Sequence, residues 1–341
     1  MKVVECRGTH REIGEAMGEA LRSEIAFHIE RFVRPYWERL HPQIGQFIRT
    51  NRKYIPRIME QLDGMAKGAN LPPDEIYALN LPVGVASLTF EEECSNVIMT
   101  GGTNGPLWGK NNDGGCPPGE DRRPVCALKI YPDDGVPAIC FTFCGWLSGG
   151  DMINAEGVAV GHSSVGSRFA QSPYNVSALH WLYQGMLEAK SAIDYARHIT
   201  SLPLYGKGFS QVTVDKDGRM FSGEICCPLT QIRWPEPGDA GMDCVNHYQL
   251  PALKDVTMRT EAGLKNSIGR NDYLQNELQQ ADGSLEHMQH ILTYHGEYSI
   301  CRHGGKDLSH TEYSMIGIPA EGRVLYQYGY PCKETYKEIA L

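Results

Sequence analysis

Cys94 stands where the run Glu91-Glu92-Glu93 gives way to the stretch Ser95-Asn96-Val97-Ile98-Met99. A cysteine is a nucleophile only as its thiolate, so it needs a base or a cation beside it. The ordinary role of a cysteine is that of a small buried hydrophobe, and ten others share this chain. What distinguishes Cys94 is the sequence that follows it. Trp108-Gly109-Lys110-Asn111-Asn112-Asp113 comes after the hairpin-turn pair Asn104-Gly105. Two strands folded at that turn bring Asp113 back beside Cys94, where a carboxylate can orient an amine or thiol or hold its proton. The competing reading of Asn112-Asp113-Gly114 is a plain turn.

Two other groups of residues invite chemistry. His287, His290 and His295, followed by Cys301 and His303, are potential metal ligands. No HExxH pattern or paired CxxC accompanies them, so they read as helix-surface and strand-end histidines, and no metal ligands are assigned. The glycine-rich stretch 145–166 lacks the Gly-Lys-Ser/Thr ending of a phosphate loop and reads as strand turns.

The elements that must position Cys94 change character along the chain. Ile13, Met17, Leu21, Ile25, Ile29, Phe32, Val33, Tyr36, Trp37 and Leu40 recur at three- and four-residue spacing, which predicts an amphipathic helix interrupted at Pro35. Ile55, Ile58, Met59, Leu62 and Met65 predict a second helix stopping at Gly68, and Pro72-Pro73-Asp74-Glu75 opens a short third. The first 80 residues therefore read as helical. Beyond Glu93, turn pairs at Asn104-Gly105, Asp134-Gly135, Asp217-Gly218 and Glu321-Gly322 separate short apolar or alternating runs, with Tyr313–Ile318 and Val324–Tyr330 closing the chain. Helical segments near 177–199 and 267–295 interrupt them. Strands and helices in blocks indicate an α+β fold.

Composition narrows the function classes. The 341 residues are 41% hydrophobic and 21% charged, as in ordinary globular proteins, with a net charge of −9. An acidic chain without a basic tract is a poor nucleic-acid binder, because phosphate neutralisation needs a basic excess. No apolar run is long enough to span a bilayer, and the N-terminus has no apolar signal region. Eleven cysteines, an odd number, suggest free thiols in a reducing compartment, so a cytoplasmic location is expected. Cys6, Cys116 and Cys332 are the thiols expected to be exposed.

Taken in order, Glu93-Cys94-Ser95, Gly109-Lys110-Asn111-Asn112-Asp113, Asn154-Ala155-Glu156-Gly157, Asn246-His247-Tyr248 and Asn266-Ser267-Ile268-Gly269-Arg270 resemble the acyl-CoA:6-aminopenicillanic acid acyltransferase family. These are cysteine N-terminal nucleophile hydrolases, related to bile salt hydrolases and penicillin V acylases. Gly8, Arg11-Glu12-Ile13-Gly14, Gly18 and the segment Leu71 to Asn80 resemble the family's pro-segment, and Gly329-Tyr330-Pro331-Cys332 its C-terminal signature. Glu93 stands where the penicillin-forming members have glycine. The resemblance implies a four-layer αββα sandwich formed by residues 94–341 with a helical pro-segment, 1–93, beside it. It implies self-cleavage at Glu93–Cys94, after which the freed α-amine, of pKa near 8, serves as base for the sulfur of the same residue.

The remaining roles follow from that resemblance. Asp113 holds the new amine, Lys110 supplies a cation where bile salt hydrolases have arginine, Asn246 supplies an oxyanion-hole amide, and Arg270 lies near the nucleophile or a substrate carboxylate. Ser95, Asn112, His162, Ser163 and His247 are the implied substrate-binding positions. The activity expected is hydrolysis or transfer of the acyl group of a small N-acyl amide through a thioester. No cofactor, nucleic acid or membrane is implied; the partners are the small-molecule substrate, the chain's own pro-segment and, as an open alternative, a second copy in a homo-oligomer. Two competing readings are an uncut, non-catalytic binding module of the same fold and a histidine-based metallohydrolase.

Overall fold

Four glycines decide how the N-terminal helices meet. Helix α1 (His10–Ala20) crosses the later helix 56–69 with Gly14 and Gly18 facing Gly64 and Gly68. A Cβ at Gly14 would sit 1.9 Å from the Gln61 carbonyl oxygen, and one at Gly68 2.1 Å from that of Glu15. The obstacles are backbone, which cannot swing aside as a side chain can. Gly14→Val is therefore expected to destabilise the protein by roughly 1–3 kcal/mol, measured by urea unfolding. Gly45→Ala is the control: its Cβ would meet only the end of Arg49 at 3.5 Å, so stability should hold or rise. An unaltered midpoint for Gly14→Val would rule out the close crossing.

The computed structural model describes residues 1–82, 93–115, 123–307, 309–333 and 335–341. The expected apolar run is realised as α1, capped by Thr9 and Glu12 bonding reciprocally, α2 (Arg22–Phe32) and α3 (Trp37–Tyr54), with a 3-10 turn around Pro35 between the last two. Helix α4 (Pro56–Ala69) ends on Asn70, left-handed at φ 57, and not at Gly68, which is consumed by the helix crossing. Helix α5 (Pro73–Leu79) follows the proline pair as expected.

One part of the leader departs from the helical reading. Lys2–Gly8 is strand β1, with Val4 and Cys6 buried and Val3, Glu5 and Arg7 exposed, the period-two pattern of a half-buried strand. Seven residues ahead of a long helical run carry too little periodicity to stand out. Cys6 is accordingly buried, not exposed, and burial, reinforced by Glu5, pushes its thiol up to about 12. Cys116 lies outside the described residues.

Beyond the leader come β2 (Glu93–Met99), β3 (Leu107–Gly114), β4 (Val125–Pro132), β5 (Ala138–Phe143), β6 (Asp151–Asn154) and β7 (Val158–Ser164). The short pair β8 (Val176–Ser177) and β9 (Leu204–Tyr205) brackets helices α6 (Ala178–Met186) and α7 (Ala192–Ile199). Then follow β10 (Phe209–Asp215), β11 (Met220–Ile225), β12 (Thr230–Arg233) and β13 (Gly241–Cys244). Helices α8 (Glu261–Leu278) and α9 (Leu285–Leu292) precede β14 (His310–Ile318), β15 (Arg323–Tyr328) and β16 (Lys337–Ala340), the last adding a strand beyond the expected closing pair.

Among the described residues these form an eight-stranded sheet, β1-β4-β5-β6-β7-β10-β11-β12, and a six-stranded sheet, β13-β2-β3-β14-β15-β16. The two pack face to face through β2, β3 and β13 against β7, β10 and β11. Helices α1, α6 and α7 cover the outer face of the larger sheet, and α8 and α9 that of the smaller. The architecture is the α+β, four-layer αββα sandwich that the sequence implies. One apolar core runs without a break from Val4, Ile13 and Leu79 of the leader to Phe141, Val160 and Met315 of the sheets. A second lies under α8 and α9, where Val97 and Met99 of β2 meet Leu274, Met288 and Ile291. Among the described residues, no helix is long and apolar enough to cross a membrane.

Candidate active site

Alternation along β2 sorts the site residues into two sets. Cys94 and Asn96 point between the sheets, while Glu93, Ser95, Val97 and Met99 point toward α8 and α9. The hairpin at Asn104-Gly105, where Gly105 takes φ 72, pairs Cys94 with Asn112 and Glu93 with Asp113. Asp113 thus returns to the Glu93–Cys94 peptide, but stands across from Glu93, one step from Cys94.

Between the sheets, Cys94 is buried, and its Sγ lies 3.6 Å from Asn112 Oδ1. Lys110, two residues along β3, is fully buried and donates to both oxygens of Asp151, at 2.7 and 2.6 Å, and to the His162 carbonyl at 2.8 Å. Burial by itself would lower the Lys110 pKa, but Asp151 and the Cys94 sulfur outweigh it and the net shift is upward. Burial likewise opposes ionisation of Asp151, yet Lys110 and His162 hold its carboxyl down at about 2. Lys110 is therefore a permanent cation within electrostatic reach of the sulfur. Tyr313 adds a hydroxyl donor to Asp151 at 3.1 Å.

The Cys94 main chain is held on both sides. Its N–H donates to Asn246 Oδ1 at 2.9 Å, and its carbonyl accepts from Arg270 Nη1 at 2.6 Å. The Asn246 amide has two donors, Cys94 N–H and Arg270 Nη2, at its oxygen, and it donates from Nδ2 to the Ser164 carbonyl at 2.7 Å. That pattern fixes the orientation of the amide. Asn246 therefore presents an acceptor to the Cys94 N–H, and its side-chain nitrogen, the donor expected at an oxyanion hole, is turned to Ser164.

On the helix side, Glu93 sits in a buried pocket of three guanidinium groups. Its carboxylate bonds Arg259 and Arg270, and Arg302 stands 3.9 Å away. This cage neutralises the buried Glu93 carboxylate. Arg270 is fully buried and also bonds Ser95 Oγ at 2.9 Å and Asn266 Oδ1 at 2.9 Å. It is no helix-surface charge. Asp113 accepts from Thr311 Oγ1 at 2.7 Å, and burial lifts its carboxyl to about 6 against the pull of Arg302 and Arg270. Its Oδ2 is buried and has no hydrogen-bond partner among the described residues.

A cavity opens beside this site, with about 870 Å³ of empty space counted with its mouth. Phe141, Phe143, Trp146 and Phe209 give it apolar walls; Asn112, Asp151, His162 and Tyr313 are polar groups on the Cys94 side, and Ser148, Ser177, His180 and Lys207 are among the others. The leader supplies a wall through Leu79, Asn80, Leu81 and Pro82. Asn80 fastens that wall, donating to the Gly145 carbonyl at 2.9 Å and accepting from the Leu147 N–H at 3.0 Å.

Of the expected substrate-binding residues, Asn112 and His162 line this cavity. Ser95 does not, because alternation turns it toward Arg270. Ser163 holds the Cys94 carbonyl at 3.5 Å, and His247 is spent on Ser267 Oγ at 2.8 Å. His287 pairs with Glu277 at 2.9 Å.

No family model and no curated protein matches the sequence. Solved structures do resemble the fold. A variant of the conjugated bile acid hydrolase from Clostridium perfringens is 10% identical, covers 72% of this chain and 92% of its own, and has a TM-score of 0.48. The N-acylethanolamine-hydrolyzing acid amidase ortholog from Caenorhabditis elegans is also 10% identical, covering 67% and 93%, with a TM-score of 0.46. Penicillin V acylase from Agrobacterium tumefaciens is 11% identical, covering 69% and 83%, with a TM-score of 0.44. Likeness this distant assigns no chemistry, which must come from the residues in place.

Sequence reasoning missed Asp151, Tyr313, Arg259 and Arg302. Asp151 follows Gly149-Gly150 at the head of a strand, a weak signal of a positioned carboxylate. The others carry none, because only the register of β14, the packing of Arg259 and the loop that carries Arg302 bring them to Asp151 and Glu93.

Proposed function

We propose that this chain is a cysteine amidohydrolase of the N-terminal nucleophile type. It cuts its own Glu93–Cys94 bond and then hydrolyses a small N-acyl amide through a thioester on Cys94. What carries this reading is the junction itself. The Cys94 N–H is held by Asn246, its carbonyl by Arg270, and its sulfur is turned to Asn112, which lines an apolar-walled cavity.

In the first step the sulfur attacks the Glu93 carbonyl carbon. The carbon–nitrogen bond breaks, the Cys94 nitrogen takes up a proton, and water then releases the leader from the thioester. The new N-terminus is an amine with pKa near 8, next to the sulfur it serves as base. Asp113, across the ladder from the vacated position, has a buried carboxylate oxygen available to receive that ammonium. In the second step the sulfur attacks the acyl carbon of the amide. The amine leaves with the proton from the Cys94 ammonium, and water cleaves the second thioester. Hydrolysis is favoured over acyl transfer because water needs no acceptor site. The apolar walls suit an apolar acyl group, and the buried Lys110 favours the thiolate.

The test is a panel of N-acyl amides graded in acyl length, with amine release as the readout, run beside thiol mapping. Limiting iodoacetamide near pH 6.5 should label Cys94 first in the cut protein, with activity falling in step. Cys332 is the exposed competitor among the described cysteines. In uncut protein, where Cys94 is 2% exposed and no amine is free, the preference should vanish. Full activity after complete alkylation of Cys94 would defeat the proposal.

A further inference from the structure

The loop after α9 and the turn after β15 bring four soft or borderline donors to one point at the protein's edge. The donor atoms of His295, Cys301, His303 and Cys332 all lie within 4.8 Å of one another. The Cys301 and Cys332 sulfurs are 3.7 Å apart, and His303 Nε2 stands 3.4 Å from the first and 3.3 Å from the second. Tetrahedral zinc, with bonds of about 2.3 Å to sulfur and about 2.0–2.1 Å to nitrogen, requires edges of roughly 3.8 Å between sulfurs and roughly 3.5 Å from sulfur to nitrogen. Three of the observed separations fall within a few tenths of an ångström of those edges. The His295 ring, exposed and 5.0 Å from the His303 ring centre to centre, stands as the fourth ligand.

The geometry points to a closed zinc site of two cysteines and two histidines; we propose that these four residues bind one Zn²⁺. Two thiolates with two imidazoles suit zinc and disfavour magnesium or calcium, which take oxygen ligands. The sequence lacks a paired CxxC beside its histidines because the second cysteine is 29 residues beyond His303 and returns only through the β14–β15 hairpin. The segment around the ligands is built to hold its shape. The His303 N–H donates to Asp307 at 3.1 Å, its ring stacks on Tyr330 at 3.9 Å, and Thr311 exchanges bonds with Arg302 on both sides of its peptide unit. Alternation gives the site its meaning: Cys301 and His303 face the edge, while Arg302 between them reaches inward to Glu93 and Asp113. The ion ties the chain near its C-terminal end to the loop that positions one of the three arginines around Glu93. It has no part in the acyl chemistry.

The experiment uses the full chain, purified under a non-chelating reductant, so that no disulfide forms. Elemental analysis should find about one equivalent of zinc. Replacement with Co²⁺ should give a sulfur-to-cobalt charge-transfer band and the strong visible bands of a tetrahedral centre. Cys332→Ser, which alters an exposed side chain, should lose the charge-transfer intensity of one thiolate and bind Co²⁺ at least tenfold more weakly. Cys94→Ala should keep both band and stoichiometry. EDTA should lower the wild-type Tm and leave that of Cys332→Ser unmoved. Cobalt affinity and spectrum unchanged in Cys332→Ser would overturn the proposal, as would wild-type protein that takes up neither metal. These readouts are independent of processing and amide hydrolysis.

Discussion

Cys94→Ala is expected to run as a single chain of 341 residues on a denaturing gel, where the wild type gives a leader of 93 residues and the remaining 248. Alanine keeps the small buried volume at the head of β2 and leaves the Asn246 and Arg270 contacts to the main chain in place. The variant should therefore fold, stay uncut and release no amine from any substrate, the largest effect available from one residue. Intact mass will locate the wild-type cut, which must expose Cys94 as the new N-terminus. If the variant is cut at the same bond as the wild type, a contaminating protease is responsible and self-processing fails.

Arg270→Ala is expected to be nearly as severe, by another route. The guanidinium is fully buried and joins the Cys94 carbonyl, Ser95, Asn246, Asn266 and the Glu93 carboxylate. Removing one partner of a buried charge pair typically costs about 3–5 kcal/mol, because the other charge is stranded. The stranding is softened by Arg259 and Arg302, so a loss near the lower bound is expected in urea unfolding. Processing should fall at least 100-fold even where the fold persists, because the main chain on the Cys94 side of the scissile bond loses its clamp. Arg270→Lys restores the charge without the planar fork, and it should recover stability more than processing. Equal recovery of both would reduce Arg270 to a counter-charge for Glu93.

The sequence makes some of this site legible and hides the rest for physical reasons. The turn signal at Asn104-Gly105 between strands of known period places β3 against β2, so Asp113 can be located near Cys94 from spacing. The same period-two rule, applied one step further, turns Ser95 and Asp113 to the helix side. That result needs the exact register, which the longer connection through 100–106 leaves open. Arg270 and Asn246 were reached through resemblance, since nothing in their own neighbourhoods distinguishes a buried arginine from a surface one. Arg259, Arg302 and Tyr313 meet the site through contacts spanning more than 150 residues, which no local pattern encodes. Strand β1 was missed because its partner, β4, lies some 120 residues away, and parallel pairing leaves no turn to announce it.

That strand changes what a cut chain would be. β1 forms the border of the larger sheet, so withdrawing the leader would bare the β4 backbone along seven paired positions. An uncovered border of this kind recruits foreign strands and aggregates. Residues 79–82 would leave at the same time, taking a wall of the cavity with them. In a cut chain the leader would then behave as a permanent subunit, and the cleaved protein as a heterodimer of its two pieces. Co-expressed as two separate polypeptides divided before Cys94, the halves should assemble through β1 and the α1–α4 crossing. The second half expressed alone should be insoluble.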